Sequence, residues 1–286
     1  MGAILLLTGF AATSPAAHAT GGRLVVIVLE NKTYTKVMSA PLATPYIHTL
    51  VTDGLLFTNY SAVASGSARD YRAMTSGLTA APPPTPENIF KAIDASGGAL
   101  SWVELEESMS ANCSGASTGP VPGTTHPLYT TMHDPAYMFR ANETCMTNAK
   151  PLTEDTLTPS TLPSLTYLIP NQCDDMHTLP KNGATCPAFD GEYTATSPMK
   201  LSDDWLSRVV PQLLNEPDIT VVLTWDEGTR TNNRIVTLEV GNGVTPGTQD
   251  ATAYNHYSLE AGMYAFLGLG TPPNNGATAT VLPIPA

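Results

Sequence analysis

The chain has 286 residues and a formal net charge of −12, and 13% of its residues are charged, against roughly 25% in an average globular protein. Its hydrophobic fraction of 42% suffices for a sizeable core, which excludes an intrinsically disordered chain. The acidic balance argues against a nucleic-acid partner, which needs a basic face, and against a polybasic membrane anchor.

The first residues are typical of an export signal. A short apolar run at 3–12 precedes an A-x-A cleavage pattern at 17–19, although no basic residue comes before Arg23. The run is shorter than the roughly 20 apolar residues that span a bilayer, and no later segment qualifies as transmembrane. We therefore expect a signal peptide at 1–19, a single domain at 20–286 and a secreted protein, extracellular or periplasmic.

Two uninterrupted apolar runs, at 24–29 and 219–225, predict strands that are buried on both faces of a parallel sheet. Further strands are predicted at 56–60, 100–105, 165–169 and 234–240. Helices are predicted at 45–55, 71–76, 87–96, 203–213 (with Asp203 or Asp204 as its cap) and 259–267. Strands that alternate with helices indicate an α/β fold with a doubly wound, mostly parallel sheet and helices on both faces.

The segment 108–160 is rich in Ser, Thr, Pro and Gly, and we expect it to be an irregular excursion from the core. Four cysteines, without a C-x-x-C spacing, indicate two disulfides in an exported protein. We favour neighbours, Cys113 with Cys145 and Cys173 with Cys186, because short loops cost least to close. The sequence leaves the other two connectivities open.

Acidic residues follow three predicted strands at the point where each strand ends: Glu30, then Asp175 with His177, then Asp226 with Glu227. Each segment alone has an ordinary explanation, such as a solvated turn or a helix N-cap. Ligands bind beyond the carboxyl ends of the strands in open α/β sheets, so we expect the three segments to converge. Their carboxylates repel one another and need a cation. A mixed carboxylate and imidazole set fits Zn²⁺, Mn²⁺, iron or Mg²⁺, and Ca²⁺ where oxygens dominate.

Six segments, in order along the chain, carry a family resemblance: E-N-K-T-Y at 30–34, S-A-R-D-Y-R-A-M-T-S-G at 67–77, M-H-D-P at 132–135, I-P-N-Q-C-D-D-M-H at 169–177, T-W-D-E-G at 224–228 and Y-N-H-Y-S-L at 254–259. They are similar to motifs of the secreted bacterial phosphoesterase family. That family includes acid phosphatases, phospholipases C and phosphoinositide phosphatases, within the alkaline-phosphatase-like superfamily. The resemblance covers about residues 24–268.

The resemblance implies a nucleophile and a metal site beside it. Ser67 would take the phosphoryl group, with Ser65 as the nearby competitor. Glu30, Asp226 and Glu227 would hold a divalent metal ion, with Asn31 on a phosphate oxygen or on the metal. The residues agree with this role for a metal. A serine hydroxyl needs activation, and the chain has no G-x-S-x-G elbow that would pair it with a histidine base.

The resemblance also implies a second group of ligands. Asp175, His177 and His256 would form a second metal site or would position the substrate if one metal binds. His133 would contact the phosphate or protonate the leaving group. Two metal ions would stabilise both the attacking and the leaving oxygen.

The serine block departs from the family pattern. Ser65 and Gly66 stand where the family has His-Pro, and Arg69 and Asp70 replace its Pro-Asn. Arg69 could supply a phosphate contact, whereas Asp70 would repel phosphate unless it binds metal.

These features favour an exported, metal-dependent phosphomonoesterase of the acid-phosphatase type that hydrolyses its ester through a phosphoserine. The substrate is a phosphate ester, and a lipid head group such as a phosphoinositide is one candidate. Two alternatives stay open: a phosphodiesterase of the phospholipase C type, and a non-catalytic binding protein on the same fold. The sequence does not predict the metal's identity or the oligomeric state.

Overall fold

The computed structural model describes residues 21–80, 87–139 and 144–286, so the predicted signal peptide at 1–19 lies outside the described residues. The strands are β1 (Arg23–Leu29), β2 (Leu55–Phe57), β3 (Tyr60–Ser61), β4 (Trp102–Glu107), β5 (Ala149–Leu152), β6 (Leu165–Ile169), β7 (Cys186–Ala188), β8 (Gly191–Tyr193), β9 (Ile219–Trp225), β10 (Thr237–Gly241), β11 (Thr248–Asp250) and β12 (Tyr254–Asn255). The helices are α1 (Tyr34–Met38), α2 (Pro45–Asp53), α3 (Ser67–Ser76), α4 (Ile89–Asp94), α5 (Pro135–Met138), α6 (Cys145–Asn148), α7 (Pro198–Leu214) and α8 (His256–Phe266).

Eight of the described strands form one sheet in the order β11-β2-β10-β9-β1-β6-β4-β5. β1 lies at its centre and pairs in parallel with β9 and β6, whereas β10 is antiparallel to both of its neighbours. Every residue from Leu24 to Leu29 is fully buried, so both faces of the sheet are covered. The helices pack in two separate groups: α2 packs against α7, whereas α3 and α4 pack against α8. The predicted mostly parallel α/β sheet is confirmed.

The predicted excursion at 108–160 returns to the sheet. β5 pairs in parallel with β4 at the edge, a pairing that the sequence prediction missed. Its four residues include Pro151 and no β-branched side chain, and proline is tolerated at a sheet edge. The disulfides join Cys113 to Cys145 and Cys173 to Cys186, which confirms the predicted pairing of neighbours.

Asp203 caps a helix other than the predicted one. Its own helix, α7, begins earlier, at Pro198, with Ser197 as N-cap. The Asp203 carboxylate instead accepts hydrogen bonds from the backbone amides of Tyr46 at 3.0 Å and Ile47 at 2.8 Å, in the first turn of α2. Helix N-termini leave such amides without intrahelical partners. Asp203 therefore ties α2 to α7.

We predict that Asp203→Ala lowers the free energy of unfolding by about 1–2 kcal/mol, the usual cost of a lost helix cap. Asp204→Ala is the matched control, because Asp204 is half-exposed and its carboxylate pairs with Lys200 on the same helix. Such a surface pair is worth less than about 0.5 kcal/mol. Urea unfolding of the two variants measures the difference, and equal losses would contradict the capping role.

Candidate active site

Three buried carboxylates meet at the carboxyl edge of the sheet. Asp226, Glu30 and Asp175 follow β9, β1 and β6, which are neighbours in the sheet. The Glu30 amide donates to the Asp175 carbonyl at 2.7 Å, and the Asp226 amide donates to the Leu29 carbonyl at 2.9 Å. All three acidic side chains are fully buried. The structure thus brings together the three acidic segments that the sequence places at strand ends.

Ser67 lies at the N-terminus of α3, four residues before the predicted start of that helix. Its hydroxyl donates to Glu30 Oε2 at 3.0 Å. Gly66 precedes it with φ +106°, a conformation that favours glycine, and the Gly66 amide donates to Glu227 Oε2 at 2.9 Å. A helix N-terminus offers free amides and partial positive charge to a phosphate. A hydroxyl, an anion-binding helix end and a carboxylate therefore meet at one point.

His133 lies between two of the strand-end carboxylates. Its Nε2 is 3.4 Å from Glu30 Oε1, and its Nδ1 is 3.7 Å from Asp175 Oδ2. Burial, with a contribution from His177, lowers the pKa of His133 to about 3. Its imidazole is therefore neutral at physiological pH, which is the form that binds metals. The structure places His133 among the expected metal ligands, whereas the sequence assigned it to the phosphate or the leaving group.

Each strand-end carboxylate has one buried oxygen without a hydrogen-bond donor: Glu30 Oε1, Asp175 Oδ2 and Asp226 Oδ2. Burial and the charges of Asp226 and Asp175 raise the pKa of Glu30, and burial raises the pKa of Asp226 to about 6. Unpartnered buried carboxylates are costly unless a cation or a proton neutralises them. Ligand atoms of Glu30, His133 and Asp175 all lie within 4.8 Å of one another. This mixture of carboxylate oxygen and imidazole nitrogen fits Zn²⁺ or Mn²⁺.

Asn31 orients the carboxylates on either side of it. It has φ 47°, in the left-handed region that asparagine tolerates better than most residues. Its backbone amide donates to Asp226 Oδ1 at 3.0 Å, and its side-chain amide donates to Glu30 Oε2 at 3.0 Å. Both donors are thus directed at acidic side chains, where the sequence expected Asn31 on a phosphate oxygen or a metal.

Sequence reasoning missed two residues beside the cluster, Lys32 and Tyr71. Lys32 Nζ donates to the Met176 carbonyl at 2.7 Å; burial lowers its pKa, and the nearby Asp175 charge opposes that shift. The Tyr71 ring stacks on His133 with ring centroids 5.6 Å apart, and its buried hydroxyl has no hydrogen-bond partner. Lys32 and Tyr71 lie within the motif segments 30–34 and 67–77. Their proximity to the candidate site residues in sequence was the signal that could have identified them.

His256 lies directly beside Asp226, and both of its ring nitrogens contact other groups in this structure. Its Nε2 faces the Asp226 backbone carbonyl at 2.5 Å, and its Nδ1 contacts the Tyr60 hydroxyl at 3.1 Å. Its Nε2 also lies 3.6 Å from Asp70 Oδ1. The predicted ligand is thus fully buried and held by three other groups. Burial lowers its pKa to about 4.

His177 faces a surface cavity beside the cluster. Its backbone amide donates to Asp175 Oδ1 at 2.7 Å, but its ring Nδ1 contacts the Thr178 hydroxyl at 2.7 Å and packs edge-on against His126. The cavity has a volume of about 430 Å³ and is lined by Gly123, Thr124, Thr125, His126, His177, Thr178, Leu179 and Lys181. The rings of His177 and His256 thus contact other groups in this structure, and a second metal site formed by Asp175, His177 and His256 stays a prediction.

The two departures in the serine block occupy different environments. Arg69 is exposed on α3, two residues after Ser67. Asp70 is buried and accepts hydrogen bonds from the amides of Val63 at 3.1 Å and Ala64 at 2.9 Å. Burial raises the pKa of Asp70 to about 7. Asp70 therefore fastens the loop that leads to Ser67.

The fold is similar to that of solved structures that include a member of the alkaline-phosphatase superfamily. A protein of that superfamily from Vibrio parahaemolyticus aligns with a TM-score of 0.59 and 14% identity, over 89% of this chain and 69% of that chain. The lipoteichoic acid synthase LtaP from Listeria monocytogenes aligns with a TM-score of 0.57 and 10% identity, over 92% of this chain and 77% of that chain. At these identities the likeness shows the fold alone.

No protein-family model matches the sequence. A phosphate-repressible acid phosphatase from Penicillium chrysogenum is 28% identical over 237 residues, which cover 77% of this chain and 53% of that protein. A probable acid phosphatase from Kluyveromyces lactis is 28% identical over 284 residues, which cover 92% of this chain and 62% of that protein. The chain thus spans about half to three-fifths of the length of these fungal relatives. These relatives are described as acid phosphatases, and the bacterial and phospholipase C resemblances stay predictions.

We predict that Mn²⁺ stabilises the chelator-treated protein by about 2.7 kcal/mol at a concentration one hundred times its Kd. Glu30→Gln removes one of the charges that bind the cation, so this variant should lose most of the stabilisation. Glu87→Gln is the control, because Glu87 is exposed. Denaturant unfolding with and without Mn²⁺ measures the effect, and an undiminished gain in Glu30→Gln would contradict the site.

Proposed function

We propose that this chain is an exported, metal-dependent phosphomonoesterase in which Ser67 is the nucleophile. One observation carries the proposal: the Ser67 hydroxyl, at the N-terminus of α3, donates to Glu30 within a cluster of buried, incompletely partnered carboxylates. The acid phosphatases to which the chain is similar support the substrate class.

Glu30, Asp175 and Asp226 fit a divalent cation through their unpartnered oxygens, and His133 fits it through a neutral imidazole nitrogen. A cation bound there would act as a Lewis acid on the phosphoryl oxygens and would neutralise part of the carboxylate charge. Glu227 acts through its contact with the Gly66 amide, which fixes the loop before Ser67.

The side chains account for the proton balance of two successive displacements. Ser67 Oγ attacks phosphorus, the bond from phosphorus to the alcohol oxygen breaks, and the serine proton passes to Glu30 Oε2. The released alkoxide takes a proton from water and leaves hydroxide. That hydroxide attacks the phosphoserine, the bond from phosphorus to Ser67 Oγ breaks, and Glu30 returns its proton to Ser67. The amides at the start of α3 face the phosphoryl oxygens in both steps.

We predict that Ser67→Ala lowers kcat for p-nitrophenyl phosphate by on the order of 10³-fold or more, because the nucleophile is lost. Ser65→Ala is the matched control, two residues away in the same loop, and should retain activity. Acid-quenched wild-type protein should also yield a phosphorylated peptide that contains Ser67. Full activity in Ser67→Ala with loss in Ser65→Ala would transfer the role to Ser65, and a preference for bis-p-nitrophenyl phosphate would favour the phosphodiesterase alternative.

We propose further that the alcohol of the substrate occupies the cavity beside His177. Lys181, His126 and His177 line it, and Thr178 adds a hydroxyl. Burial lowers the pKa of His177 to about 4, so its ring adds no charge at physiological pH. Such a lining suits an alcohol that carries a second anionic group. A phosphoinositide head group has this chemistry.

We predict that Lys181→Ala raises KM for a soluble inositol bisphosphate by about tenfold, which corresponds to about 1.4 kcal/mol. It should leave KM for p-nitrophenyl phosphate unchanged, because that substrate has no second anion. Lys91→Ala serves as the control, since Lys91 is half-exposed on α4 and pairs with Glu87. Steady-state kinetics with each substrate measure the two KM values. An equal change in both KM values would contradict a role of the cavity in substrate recognition.

Export is also part of the proposal. Two disulfides are typical of an oxidising compartment, and the predicted signal peptide occupies residues 1–19. Among the described residues, no helix has the length and hydropathy of a membrane span.

A further inference from the structure

A second group of buried carboxylates lies beside the candidate active site. Glu104 and Glu106 are two residues apart on β4, so their side chains point to the same face of the sheet. Asp134 is the N-cap of α5. Ligand atoms of these three residues all lie within 4.8 Å of one another, and none of the residues is more than 2% exposed.

Hydrogen bonds satisfy two members of this group but not the third. Asp134 accepts from the Tyr137 amide at 2.6 Å and the Tyr129 hydroxyl at 2.7 Å. Glu104 accepts from the Ala136 amide at 3.1 Å. Glu106 Oε1 is buried and has no donor at all.

The next residue on β4, Glu107, is also a buried glutamate, but its carboxylate has hydrogen-bond donors. The Glu107 carboxylate accepts from the amides of Asn171 at 3.0 Å and Phe189 at 2.7 Å. Glu106, by contrast, has acidic neighbours. Its burial and the charges of Asp134 and Asp175 raise its pKa. Within the described ranges, no Lys or Arg forms an ion pair with the group.

We propose that Glu104, Glu106 and Asp134 bind a calcium ion, at a site distinct from the one beside Ser67. All of the ligand atoms are oxygens, whereas a structural Zn²⁺ site prefers sulfur and nitrogen ligands. The site is almost fully buried, and Mg²⁺ usually retains several waters, whereas Ca²⁺ accepts carboxylates in one- or two-oxygen contacts with loose geometry. The ion would join β4 to the segment that carries His133.

The competing explanation is that the three carboxyl groups share protons and bind no ion. The two explanations differ for Glu106→Gln, which keeps the side-chain shape but removes one charge. If calcium binds, this variant loses the ion. If protons are shared, it loses nothing that a metal assay detects.

The experiment measures bound calcium by mass spectrometry after EGTA treatment, dialysis against excess Ca²⁺ and gel filtration. The wild type should hold one more calcium per chain than Glu106→Gln, and added Ca²⁺ should raise the Tm of the wild type but not of that variant. Glu239→Gln is the matched control: Glu239 is fully buried with both oxygens unpartnered, but burial alone raises its pKa, to about 8. It should keep the calcium.

Glu30→Gln separates this site from the one proposed beside Ser67, because it should keep the calcium of the second group. Glu104→Gln replaces Glu106→Gln if the latter does not fold. Equal calcium in the wild type and in the folded variant, or no calcium in the wild type, would overturn the inference. No step of the experiment measures hydrolysis, so its outcome is independent of the proposed phosphatase activity.

Discussion

The mutual repulsion of carboxylates at the end of a parallel sheet governs this structure. β9, β1 and β6 are adjacent and end at the same edge, so the acids that follow them meet in the interior. Two like charges 4 Å apart repel by about 4 kcal/mol at an effective dielectric constant of 20. The amides of Asn31 relieve part of this repulsion at Asp226 and Glu30. The oxygens that no donor reaches define where a cation fits.

Two carboxylates hold the loop before α3 in the position that brings Ser67 to that cluster. Asp70 anchors the loop from inside through the amides of Val63 and Ala64, and Glu227 anchors it from the next strand end through Gly66. Two of the residues that depart from the family pattern, Gly66 and Asp70, therefore hold this loop in place.

The sequence predicted the features that one segment encodes by itself. It failed where a contact between residues far apart in sequence determines the structure. The runs at 24–29 and 219–225 are apolar throughout, which identifies buried parallel strands. The start of α3 was placed four residues late, because the residues from 67 to 70 show no apolar periodicity and Ser67 is positioned by Glu30, far away in sequence. Motif position indicated that histidines 177 and 256 were near the site, but it could not indicate which way each ring points. Acids at alternate positions of β4 resemble the exposed face of an edge strand, and β5, which covers that edge, was itself missed.

The two acidic groups are physically continuous. Asp175 raises the pKa of both Glu30 and Glu106, so its charge acts on the cluster beside Ser67 and on the group that contains Asp134. His133 and Asp134 are consecutive, and their side chains enter the two groups separately. An ion bound by Asp134 would therefore fix the backbone that presents His133 to Glu30. The acids of β4 would thus support the geometry of the site through that ion, although they lie outside its chemistry.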